Sequence, residues 1–175
     1  MKITLKENQI VELSDNCVEM VGDNFLDRNR ELVNLNLSNL RLVGDNFIYG
    51  NERLNKINLP KLRWVGNNFL CWNKKLTKLN LPELERVGSD FLYNDEWLIE
   101  LKLPKLEEMG DYFLYWNKKL TKLNLPNLKR IGNNFLYSNE KLNKINLPNL
   151  KKIGNYFLYY NEKLTELYFP NLKKK

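Results

Sequence analysis

The stretch Val65-Gly-Asn-Asn-Phe-Leu-Cys-Trp-Asn-Lys-Lys-Leu-Thr-Lys-Leu-Asn-Leu-Pro82 returns two periods later as Met109-Gly-Asp-Tyr-Phe-Leu-Tyr-Trp-Asn-Lys-Lys-Leu-Thr-Lys-Leu-Asn-Leu-Pro126. Working outward from these two copies, the chain divides into seven consecutive units of 22 residues, from Val21 to Lys174. With each unit numbered from its leading Val, Met or Ile, positions 1, 5, 6, 12, 15, 17 and 20 are apolar in all seven. Position 5 is always phenylalanine, from Phe25 to Phe157. A fixed period of this length is the mark of a stacked repeat, in which each unit buries its apolar face against its neighbours.

Several columns carry a local structural meaning. Position 2 is glycine in every unit (Gly22 to Gly154), which predicts a sharp turn at positive φ. The Asp and Asn residues that follow, such as Asp45-Asn46, predict turns closed on their own backbone. They have a superficial likeness to a calcium loop, but the carboxylates are too few and too often replaced by asparagine. Leu-x-Leu at positions 15 to 17 alternates as a strand does. Proline at position 18 in six units (Pro60 to Pro170, with Ser38 in the first) ends that strand, because it has no N–H for the ladder. Position 9 reads Asn29, Asn51, Asn73, Asp95, Asn117, Asn139 and Asn161. A polar column between apolar clusters predicts buried amides bonded to the backbone of neighbouring coils.

The pattern Leu-x-x-Leu-x-Leu resembles the leucine-rich repeat. The longer run Asn-x-x-Leu-x-x-Leu-x-Leu-Pro-x-Leu-x-x-Ile-Gly-x-x-Phe-Leu is similar to its bacterial surface-antigen, or BspA-like, class. The likeness covers residues 21–174, although the usual unit of that class has one more residue after the proline and often a cysteine where Asn117 stands. The resemblance implies an α/β-type repeat solenoid with few or no regular helices, its seven coils each giving a short strand to a parallel concave sheet. It also implies surface or host-contact biology.

Residues 1–20 fall outside the unit. Ile3-Thr4-Leu5 and Ile10-Val11-Glu12-Leu13 predict a hairpin or paired strands that cap the first coil, with the solenoid running from 21 to 174. At a strand spacing of about 4.8 Å, seven coils make a body about 34 Å long. Positions 14 and 16 point outward on the concave face, and positions 7 and 8 form an aromatic ridge that includes Trp72 and Trp116. Other units place Arg28, Gly50, Asn94 and Ser138 where those tryptophans stand, which predicts that both are exposed. In the last unit Tyr168 and Phe169 replace Asn and Leu, which suggests self-association through that unit.

Composition narrows the functional classes. Hydrophobic residues at 43% and charged residues at 28% describe a globular chain. The chain contains no histidine, so schemes that need an imidazole base are excluded. With no nucleophile motif or phosphate loop either, the expectation is a protein that is not an enzyme and uses no cofactor. Cys17 and Cys71 match no metal spacing and read as buried or half-buried free thiols. No apolar run is long enough to span a bilayer, and the start lacks a secretory signal. The expectation is therefore cytoplasmic, or surface and secreted if the chain is a fragment.

Solenoids offer extended surface rather than a convergent pocket, which predicts a protein-binding scaffold. The alternative is nucleic-acid or acidic-surface binding by the basic C-terminal half, since the net charge is +7 and Lys129, Arg130, Lys151, Lys152 and Lys173 to Lys175 gather there. Glu83, Glu85, Asp90, Asp95, Glu96, Glu100, Glu107 and Glu108 interrupt that basic track and argue against nucleic acid. The fourth unit departs most from its siblings. Trp97 stands where they carry Glu, Arg or Lys, and Ile99 where five of the other six carry Thr or Asn. Glu100 and Lys102 replace the usual Lys and Asn. An exposed Trp and Ile ringed by charge predict an interface there, facing a protein with a basic rim toward Glu96, Glu100 and Glu107. Trp72, Trp116 and Tyr168 are the further candidate contacts.

Overall fold

In the computed structural model the backbone is described for residues 2–6 and 9–172, and side chains for 12–172. The chain winds into a stacked series of near-identical coils, and among the described residues there is no helix. The Leu-x-Leu positions form the concave strands β4 (Asn34–Leu37), β6 (Lys56–Asn58), β8 (Lys78–Asn80), β10 (Glu100–Lys102), β12 (Lys122–Asn124), β13 (Lys144–Asn146) and β14 (Glu166–Tyr168). Each pairs in parallel with the same position one unit away, as in Leu35 opposite Ile57 and Leu123 opposite Ile145. The concave sheet is interrupted twice: no strand pairing joins β6 to β8 or β10 to β12. At the first end β1 (Lys2–Lys6) pairs antiparallel with β2 (Gln9–Asp15), and β2 continues the parallel ladder onto β4.

A second ladder runs along the flank, at positions 22 and 1. It comprises β3 (Met20–Val21), β5 (Leu42–Val43), β7 (Trp64–Val65), β9 (Arg86–Val87) and β11 (Glu108–Met109), all parallel. Isolated bridges extend it from Glu108 to Arg130 and on to Lys152.

Between these ladders lies a continuous core of the repeated Leu, Ile and Val columns. The position-5 phenylalanines stack face to face through the whole body, from Phe25 to Phe157, with ring centres 5.2–5.8 Å apart. Phe47, Phe69, Phe91, Phe113 and Phe135 are fully buried, where each contributes a large apolar area together with an offset-stacking term.

The glycine column works differently from the turn predicted for it. None of the position-2 glycines has positive φ. Their role is close approach: a Cβ on Gly66 would stand 2.7 Å from the carbonyl carbon of Gly44, and one on Gly88 would stand 2.7 Å from that of Gly66. Only Gly22, in the first coil, has nothing within 4 Å. Positive φ falls instead at positions 4, 6 and 8 of every unit, as in Asn46, Ile48 and Gly50. N–H groups there point alternately up and down the stack, so Asn46 donates to Asn67 O, Gly50 to Cys71 O, and Ile48 back to Phe25 O. The position-3 side chains also bond between coils rather than to their own turns. Asp45 Oδ1 accepts from the Asn67 N–H at 2.7 Å, and Asp111 Oδ1 accepts from the Asn133 N–H at 2.7 Å.

Candidate functional site

The fourth coil is where the repeat is most altered, inside and out. Inside, the position-9 asparagines do what their column predicts. Asn117 is fully buried and its Nδ2 donates to the carbonyls of Leu92 (2.8 Å) and Tyr115 (3.4 Å). Asn51, Asn73 and Asn139 make the same pair of bonds in their own coils. Asp95 occupies this column with no exposure at all and no amide to donate. Its Oδ1 accepts the Asn73 N–H at 2.6 Å, while Oδ2 has no partner. Burial raises its carboxyl well above the ordinary aspartate range, because no cation offsets the loss of water. Beside it, the buried Cys71 thiol donates to Asp90 O at 2.6 Å, and burial pushes its pKa far up. Cys71 is thus an inert core thiol, whereas Cys17 is exposed, contrary to its reading as buried or half-buried.

Outside, the predicted site residues separate into four places. Ile99, Glu100 and Lys102 share a concave groove of about 590 Å³ with Asn80, Thr121 and Lys122, at the interruption between β10 and β12. Ile99 is 52% exposed in that groove. Trp97 is 49% exposed but lies on the neighbouring edge, with the Lys119 ammonium 3.2 Å from its ring centre. Trp72 and Trp116 stand on the aromatic ridge. Trp116 is exposed, but Trp72 is half-buried against Tyr93, contrary to the exposure predicted from its column. Tyr168 lies on the last coil, exposed beside Leu167.

The acidic cluster is internally neutralised. Glu100 pairs with Lys102 (2.6 Å) and Lys78 (3.4 Å), Glu96 with Lys118 (3.5 Å), and Glu107 with Lys129 (2.7 Å). The Lys102 hydrogen bond, then that of Lys78, lowers the Glu100 pKa. A basic rim on a partner therefore has no free carboxylate to meet at these three residues. Among the described residues no cluster of His, Cys, Asp and Glu could hold a metal, and no helix is long and apolar enough to cross a membrane.

One surface escaped the sequence reading. Met20, Leu42 and Trp64 stand side by side on the flank ladder, Met20 and Trp64 well exposed, among Glu19, Arg41 and Arg63. Reading position 22 down the units would have shown this apolar row giving way to Arg86, Glu108, Arg130 and Lys152.

Comparison with known proteins agrees with this architecture. A family model described as a BspA type leucine-rich repeat region matches six copies over residues 63–175. Among curated proteins none matches the sequence. The fold is similar to the crystal structure of a leucine-rich repeat protein of T. pallidum, with a TM-score of 0.75 at 22% identity, covering 84% of this chain and 72% of that one. It is also similar to a leucine-rich repeat protein from Bacteroides ovatus, with a TM-score of 0.69 at 18% identity. That match covers 88% of this chain but only 48% of the Bacteroides protein. At these identities the likeness is one of fold.

Proposed function

Because the chain belongs to the BspA-type leucine-rich repeat family, we propose that it is a non-catalytic scaffold that binds a protein partner across the fourth coil. The observation that carries this reading is the pair Trp97 and Ile99, both about half exposed at positions where the sibling coils, Val33 apart, carry polar residues. Ile99 opens into the concave groove and Trp97 flanks it, so a partner gains an apolar centre ringed by mixed, self-paired charge. That is the composition of an interface hot spot. Residues 1–20 serve this scaffold as a cap, and residues 21–174 are its binding body.

The experiment compares proteins captured from the source organism by the parent chain and by Trp97→Ala and Ile99→Thr. A partner bound through this surface loses about 2 kcal/mol or more of affinity with Trp97→Ala. Undiminished binding by both variants moves the interface to the Trp72/Trp116 ridge.

A second reading rests on charge. Arg130, Lys151 and Lys152 lie together on the flank with no acid partner among the described residues, and they can attract a polyanion. With so few free cations, binding to generic DNA or RNA is weak and lost near physiological salt. Self-association through the last coil is supported by the exposed Leu167 and Tyr168 on β14, and sedimentation at rising concentration tests it.

A further inference from the structure

A groove of about 690 Å³ runs along the ridge edge over the fourth to seventh coils, away from the Ile99 groove. Its floor is Asn94, Trp116, Ser138 and Tyr160 of position 8, a column that alternates bulky and small down the stack from Arg28, Gly50 and Trp72 onward. Every one of these residues has positive φ, between 50° and 66°. Glycine and asparagine suit that backbone, whereas a bulky side chain there is strained. Trp116 and Tyr160 nevertheless occupy it, 39% and 63% exposed, where core packing does not require them. They stand two coils, about 10 Å, apart with Ser138 between them, leaving a slot between two aromatic rings.

The surroundings narrow what could enter. The backbone donors on the floor are already engaged: Asn94 N–H bonds Tyr115 O at 2.8 Å, Trp116 N–H bonds Tyr137 O at 3.0 Å, and Ser138 N–H bonds Tyr159 O at 3.0 Å. A peptide cannot add here as a strand, so recognition falls to side chains. The ionic residues of the lining are Glu96, Glu140 and Glu162 against Lys118, Lys141 and Lys163. Equal charge of both signs gives a polyanion no net attraction, but it provides many donors and acceptors for hydroxyl groups. Aromatic faces beside such groups match a ligand with apolar ring faces and hydroxyl edges.

We propose that this groove binds a neutral oligosaccharide, with sugar rings resting on Trp116 and Tyr160 and hydroxyls bonding Ser138, Glu140 and Lys141. This inference is independent of the protein interface at Trp97. The test probes the full chain on a printed array of neutral hexose and N-acetylhexosamine oligosaccharides of increasing length, followed by tryptophan-fluorescence titration with those that bind. Binding should strengthen with length, and Trp116→Ala or Tyr160→Ala should weaken it about tenfold or more. Ser138→Trp should abolish it by filling the slot with a residue that this column already accepts at positions 72 and 116. Trp97→Ala should leave it unchanged. An array with no neutral binder, or binding confined to acidic glycans and lost with salt, overturns the proposal. So does neutral-glycan binding that is indifferent to Trp116→Ala and Ser138→Trp.

Discussion

The fourth coil (residues 87–108) and the fifth (residues 109–130) follow the same backbone path, yet they differ at the column that ties coils together. In the fifth, Asn117 has an amide that reaches back to Leu92 O. In the fourth, Asp95 fills the same space without an amide: its Oδ1 accepts the Asn73 N–H and its Oδ2 has no partner, as Asn117 Oδ1 has none in the fifth. Outside, the fifth coil carries Lys119 and Thr121 where the fourth carries Trp97 and Ile99, and Lys119 reaches over to cover Trp97. The comparison teaches that the shared columns set shape, while the coils differ in whether the buried position-9 side chain has an N–H to give its neighbours. It also shows that the two departures lie on opposite sides of the chain wall, so they can be altered separately.

The sharpest way to break the comparison is to make the fifth coil like the fourth. Asn117→Asp removes the donor to Leu92 O and buries a carboxyl, and it should cost about 3 kcal/mol or more at neutral pH in denaturant melts. A negligible loss would mean that the column tolerates either group.

The converse, Asp95→Asn, should stabilise the chain by about 1–3 kcal/mol at pH 7, because it restores the amide that donates to two carbonyls in the sibling coils. The pH dependence gives an independent reading. Between the unfolded pKa of about 3.9 and the raised folded value, folded Asp95 holds a proton that unfolding releases. Its contribution is therefore most favourable below the unfolded pKa of about 3.9, and stability falls as pH rises toward the raised folded value. The slope is about 1.4 kcal/mol per pH unit in that window, and Asp95→Asn should remove it. An unchanged slope in the variant would assign the titration to another group.

Two smaller changes test the outer surface. Trp97→Ala should alter stability by only about 0.5 kcal/mol, since the ring is half exposed and held mainly by Lys119. Asn124→Ala should change it by less than about 0.5 kcal/mol, although Asn146 Nδ2 donates to Asn124 Oδ1 at 2.8 Å, because that bond lies in water. A loss at Asn124 as large as that for Asn117→Asp would dissolve the distinction between wall and surface.

Much of the body was legible because the apolar columns repeat at 22 residues and stacking turns a period directly into neighbours. The buried asparagine column was legible for the same reason, as a polar group caged by Leu and Phe must bond backbone. Glycine was harder. Positive φ and close approach both select it, and only the coil-to-coil distance at Gly66 and Gly88 distinguishes them. Many left-handed positions carry Leu, Tyr or Trp, residues that do not announce such a backbone. The flank ladder was missed because two-residue strands are too short to alternate. At the candidate site, the departures Trp97 and Ile99 were visible, but their separation onto two faces was not. Neither was the pairing of every nearby glutamate, which needs charges one full unit apart to be read together.

The two interruptions of the concave sheet give the molecule uneven mechanics. The flank ladder runs unbroken from β3 through β11 and its bridges reach Lys152, whereas the concave side is divided into three blocks. Such a body is bound like a book: the stitched edge is continuous while the facing pages are unjoined at two places. Because repeats interact only with their neighbours, a bend gathers where the fewest bonds oppose it, between the second and third coils and between the fourth and fifth. The Ile99 groove lies in the second of these openings, where no strand pairing fixes its width.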